Sequence, residues 1–152
     1  MHVIYSDMMV APAQGSSPSA AKPRPVVEAW IAQDPDIRIV PPKPVTIDDF
    51  ARAHERAFVE QVFALRIANG FGTRSSDVNK SLPYTTGAML TAAQIALTQK
   101  TAVAAPVSGF HHARWSEAAA YCTFNGLIVT AMALRAVFFN EPATTEIYTL
   151  SP

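Results

Sequence analysis

The sequence predicts an α/β fold with a parallel sheet, and two observations carry that reading. Short β-branched runs alternate along the chain with longer stretches of helical periodicity. The segment 124–139 is almost wholly apolar, interrupted by Asn125, Gly126, Thr130 and Arg135. It is too short and too broken for a membrane span, which needs ~20 apolar residues. A buried helix of a layered domain accounts for it better.

Taken in order, His2-Val3-Ile4-Tyr5 is a β-branched and aromatic run that reads as a first strand. Residues 8–25, rich in Ala, Pro, Ser and Gly, read as a long loop, a feature that in compact domains is often functional. Pro25 opens a helix whose apolar face is Val26, Val27, Trp30 and Ile31. Ile37-Arg38-Ile39-Val40 is a second strand, stopped by Pro41-Pro42. Thr46 followed by Asp49 is a capping pattern with acids in the first turn. Residues 55–66 continue helical, with Phe58, Val59, Val62, Phe63 and Leu65 near one stripe, until Asn69-Gly70-Phe71-Gly72 breaks the pattern. A third helix is expected over 85–100, carrying Met89, Leu90, Ala93, Ala96 and Leu97. The small apolar run 102–106 fits a buried strand ending at a proline. No internal repeat is present.

A chain of 152 residues suits one domain, 1–152. The net charge is zero and charged residues make up 16%, with no basic stripe for a nucleic acid or membrane surface. A single cysteine, Cys122, excludes an internal disulfide framework. The start lacks the basic and apolar regions of a signal peptide, so a cytoplasmic protein is expected.

Ligands of open α/β sheets sit beyond the carboxyl ends of the strands. The segment Val107-Ser108-Gly109-Phe110-His111-His112 follows the third strand and falls there. Imidazoles titrate near neutrality, so two adjacent histidines in a loop can divide general-base and general-acid work. From the pair alone, two ordinary loop histidines are the better reading, because such pairs also occur structurally. His2 and His54 read as structural or solvated. Asn69-Gly70-Phe71-Gly72 lacks the pattern of a phosphate loop, and Cys122 reads as an inert buried thiol. Asp48-Asp49 is a helix start, not a carboxylate dyad.

Ser108-Gly109-Phe110-His111-His112-Ala113, followed by Cys122-Thr123-Phe124-Asn125-Gly126-Leu127, resembles the histidine-pair segment of the histone deacetylase superfamily. The bacterial histone deacetylase-like and acetylpolyamine amidohydrolase branch is the most similar. Arg52-Ala53-His54, Asn69-Gly70-Phe71-Gly72 and Ser81-Leu82-Pro83-Tyr84-Thr85-Thr86-Gly87 support it. The resemblance implies a three-layer α/β/α, arginase-deacetylase-like fold, and a zinc ion with its bound water at the base of a narrow tunnel. It implies His111 and His112 as the catalytic relay pair, and a late tyrosine stabilising the oxyanion. Tyr121 falls at an aromatic tunnel wall, with Phe110 beside it as a second substrate-binding residue. The implied substrate is an acetylated small amine or an acetyl-lysine peptide.

Two departures matter. Ala120-Tyr121-Cys122 stands where the family commonly reads Gly-Phe-Cys; alanine resists backbone angles that glycine permits. The family's zinc is held by an Asp-x-His pair and a further aspartate downstream of the histidine pair. Here the last aspartate is Asp77 and the last histidine is His112, with Glu117, Glu141 and Glu146 the carboxylates beyond. No residue is therefore assigned as a metal ligand, and zinc binding by this chain is not expected. The expectation is a C-terminally truncated deacetylase fold with a divergent tail at 137–152, inactive as it stands. The tail 144–150 is a candidate strand. The alternative is a non-enzymatic binding or regulatory module that pairs with a full-length homologue. Both rings of the histidine pair are expected to face one cavity near Tyr121 and Phe110. Self-association is expected through Leu127, Val129, Met132 and Phe138.

Overall fold

The computed structural model describes residues 1–107 and 109–139, the last four by backbone alone. Its sheet has three parallel strands, β1 (His2–Ile4), β2 (Arg38–Val40) and β3 (Val103–Ala104), in the order β2-β1-β3. Val3 stands opposite both Ile39 and Ala104, so β1 is central. Ile4 joins Met9, Ala88 and Ala92 in one cluster. Val3 must point to the other face, since strand side chains alternate, and it is equally buried. A strand covered on both faces is the mark of a layered α/β fold, as expected.

Helix α1 (Pro23–Gln33) starts two residues before the expected Pro25, with a proline at its first position, where the missing N–H costs nothing. Val27 is its buried residue, whereas Ile31, expected on the apolar face, lies in solvent. The short α2 (Ile47–Phe50) begins at the expected cap. Thr46 Oγ1 accepts the Asp49 N–H at 3.2 Å and the Asp49 carboxylate accepts the Thr46 N–H at 2.9 Å.

Helix α3 (Arg56–Phe63) is shorter than the expected 55–66, and Leu65 is the reason. Leu65 adopts φ 59°. Its N–H bonds the Val62 carbonyl at 2.9 Å and the Arg66 N–H bonds that of Gln61 at 2.9 Å. These two bonds make a Schellman ending, a closure usually left to glycine. Helix α4 (Ser76–Gln99) corrects the expectation of 85–100 in the other direction. Ser75 caps it by accepting the Val78 N–H, and Asp77 sits in the first turn. Pro83 reads as a break but is carried inside the helix, where its carbonyl accepts the Val45 N–H at 3.1 Å.

Helix α5 (Gly126–Phe139) packs against α4. It closes a core of Phe50, Phe58, Val59, Val62, Phe124 and Val129. Val129 is therefore inside, which removes it from the expected self-association face; among the described side chains of this helix, Leu127, Ile128 and Met132 are exposed large apolar residues. The candidate strand at 144–150 and the side chain of Phe138 lie outside the described residues. No described helix is long and apolar enough to cross a membrane.

Candidate functional site

The chain leaves β3 into a long connection, 105–125, beyond the carboxyl ends of the strands. Two glycines let it fold tightly. Gly109 has φ +83°, and a Cβ there would stand 2.9 Å from the Tyr121 carbonyl oxygen. At Gly70 a Cβ would run into the backbone of Cys122, so the loop around residue 70 lies flat on this connection.

Hydrogen bonds lock the two loops together. The Tyr121 N–H donates to the Gly70 carbonyl at 2.9 Å, and the Gly70 N–H donates to Thr123 Oγ1 at 2.9 Å. Asn69 is buried and its Oδ1 accepts the Phe71 N–H at 3.0 Å, which shapes Asn69-Gly70-Phe71-Gly72 as a tight side-chain-supported turn. Thr73 Oγ1 donates to Gln14 Oε1 at 3.0 Å, bringing in the long loop after β1. The turn between Ala119 and Cys122 carries φ 44° at Ala120 and φ 67° at Tyr121. Left-handed angles at both central residues are the province of Asn-Gly turns. Alanine in place of the family's glycine therefore bears the strain that the sequence implied. The turn lifts Tyr121 to half exposure and sets its ring 5.8 Å from that of Phe71.

Phe110 and Tyr121 line a small cavity of about 40 Å³, open to solvent, with Met9, Phe71, Leu82 and Thr123. His111 and His112 form the exposed middle of a turn between buried Phe110 and Ala113, closed by the Ala113 N–H to the Phe110 carbonyl at 3.4 Å. Their ring centroids are 4.0 Å apart with the planes inclined by 43°. The two rings are thus together, but they do not line the cavity of Phe110 and Tyr121. The expectation of one shared cavity is corrected. A four-residue turn that buries its end residues turns its middle ones outward.

His54, read from the sequence as structural or solvated, is structural. It is 1% exposed, packed against Phe58 and Phe124, and every ring nitrogen is engaged. Nδ1 lies 2.8 Å from the Arg114 carbonyl and 3.2 Å from that of Trp115, while Nε2 accepts the Asn125 N–H at 2.8 Å. Burial holds its pKa below the ordinary 6.5, against the two carbonyl contacts, which pull it upward. The sequence showed a histidine at a polar helix junction, with Phe50 and Phe58 four residues to either side. Its partners, 60 to 71 residues away, were invisible there.

Among the described residues no three His, Cys, Asp or Glu side chains gather where they could hold a metal ion. The nearest carboxylate in sequence to the pair, Glu117, is exposed and bonded to Arg114 at 3.2 Å.

A search of curated proteins returned no match. The family model described as the histone deacetylase domain matches residues 24–141, a span holding α1 through α5, the histidine pair and the turn of Tyr121. With most of its length matched in this way, the chain belongs to the histone deacetylase domain family.

Proposed function

We propose that this chain carries the histidine-pair portion of a deacetylase site for N-acetylated amines or acetyl-lysine, and that these 152 residues do not by themselves hydrolyse such amides. The observation that supports the first half is the ring pair of His111 and His112, 4.0 Å apart on the loop following β3, inside the matched family span. Two imidazoles in that relation can pass a proton between a bound water and a leaving amine. The second half rests on the donor set: the carboxylates that should accompany the pair are not gathered among the described residues. Hydrolysis of an acetyl-lysine peptide, assayed with zinc added in excess, tests it. Turnover no faster than buffer is expected. Turnover that disappears in His111→Ala would overturn the reading of inactivity while supporting that of the pair.

One observation favours the second reading, a binding or regulatory module that associates with a deacetylase or with itself. Leu127, Ile128 and Met132 leave an apolar patch on α5, at 45%, 49% and 37% exposure. Sedimentation of the chain alone and mixed with a full-length homologue tests this. Association that Ile128→Glu abolishes supports the module, and a monomer in both arms removes it.

A further inference from the structure

We infer that His54 is a clamp holding both ends of the loop 115–125, beside the histidine pair, and that a proton added at its Nε2 opens that loop. The donor and acceptor roles follow from the backbone. An amide N–H only donates, so the Asn125 N–H at 2.8 Å requires a lone pair on Nε2. A carbonyl oxygen only accepts, so the contacts of 2.8 and 3.2 Å to Arg114 and Trp115 require the hydrogen on Nδ1. Neutral His54 therefore holds the Nδ1–H tautomer, and that tautomer alone satisfies all three neighbours.

The clamp joins three pieces of chain. The Glu55 N–H also bonds the Trp115 carbonyl at 2.9 Å, and Asn125 Nδ2 reaches the Ala113 carbonyl at 3.4 Å. The loop's two ends are thus tied to each other and to the junction before α3, and His112 stands two residues before the clamped carbonyl of Arg114. Protonation would place an N–H of the ring against the Asn125 N–H, replacing a bond by a repulsion. Among the described residues no carboxylate bonds His54 to offset this. The charged side chains on its own segment, Arg52, Glu55 and Arg56, and on the loop, Arg114 and Glu117, are all exposed. The start of α5 contributes no charge, and the remaining walls are the rings of Phe58 and Phe124. His111 and His112, just before this loop, are exposed.

The sign follows from linkage. The unfolded chain takes up the proton near 6.5, whereas the folded one resists it to lower pH. The stability contributed by neutral His54 is full above 6.5 and is lost as the pH falls below it. The importance of the clamp for catalysis rests on the proposed role of the pair; the clamp itself does not.

Imidazole nitrogen NMR on the wild-type chain tests it without any activity readout. Expected are a protonated Nδ1 and a bare Nε2 for His54, with a titration midpoint below 6.5. The amide of Asn125 should follow that midpoint, its exchange protection falling on the order of tenfold as one buried bond is lost. His111→Asn/His112→Asn should keep this transition and His54→Asn should remove it; if His54→Asn does not fold, the wild-type tautomer and midpoint decide. A proton found on Nε2 at neutral pH overturns the proposal. So does an Asn125 amide that follows only His111 and His112. Failed deacetylation would leave the clamp standing, and a failed clamp would leave the deacetylase reading standing.

Discussion

The two kinds of histidine in this chain differ in almost every physical respect. His54 is enclosed by aromatic rings, and both of its nitrogens are bonded to backbone. His111 and His112 lie in the open, ring against ring, on a turn whose end residues are buried. The enclosed residue organises chain segments, and the exposed pair is available to a reactant. A buried polar ring is tolerable only when its hydrogen bonds are complete, and complete bonds leave nothing for chemistry. Reactive imidazoles need the reverse, a fixed position with unspent lone pairs. On the proposed role of the pair, these duties fall to two sites that meet at one loop.

The sharpest way to break this contrast is to attack the enclosed side. Phe124 stacks or tilts against Phe50, Phe58 and Phe63, with ring centroids 4.4 to 5.6 Å away, and lies 5.4 Å from the ring of His54. It also joins α5 to the core formed by α2 and α3. Phe124→Ala should destabilise the chain by about 3–5 kcal/mol, the usual cost of deleting a buried aromatic. Urea unfolding reads this directly. A loss below about 1 kcal/mol would show that the ring cluster does not hold the loop, since surface changes fall in that range.

What the sequence disclosed follows the same division. The parallel sheet, the cap at Thr46 and the apolar character of α5 were legible because each is written in adjacent residues. The start of α4 was not, because the helix begins at the Ser75 cap, more than two turns before Pro83, which it carries inside. The end of α3 was missed for the opposite reason: Leu65 carries a left-handed angle that its side chain gives no hint of. At the site, the pair stood out through the resemblance of residues 108–113 and 122–127 to the family, since adjacency alone favoured ordinary loop histidines. Whether its rings turned into the cavity depended on Phe110 and Ala113 being buried around it, a matter of packing across the fold. The bonding of Gly70 to Tyr121 and Thr123 was equally hidden.

A smaller effect should come from the strained turn that borders the site. Ala120→Gly replaces a left-handed alanine, φ 44°, by the residue that accepts this angle freely. The gain should be about 1 kcal/mol, the left-handed penalty less the added freedom of glycine in the unfolded chain. Lys100, at φ 50°, ends α4 at the opposite, amino end of β3 and provides the comparison. Lys100→Gly should give a similar gain in thermal unfolding. If Ala120→Gly alone gave none, the turn would be held by Tyr121 and its partners, Phe71 and Gly70, and not limited by its own backbone.

The smallest effect should come from the pair itself. His111 and His112 are exposed, and their rings lie against each other at 4.0 Å. Removing one ring uncovers little apolar surface and orphans no buried partner. His111→Ala and His112→Ala should therefore each change unfolding free energy by about 0.5 kcal/mol or less, as at other surface positions. The comparison is sharpest as a ratio: Phe124→Ala against either histidine variant, measured in the same urea series. A loss of about 2 kcal/mol or more in a histidine variant is the scale of an unsatisfied buried partner. It would mean that the ring carries structure, as His54 does, and the pair would lose its standing as the reactive part of the site. A near-zero change keeps both rings unspent, where a proton-transfer role requires them.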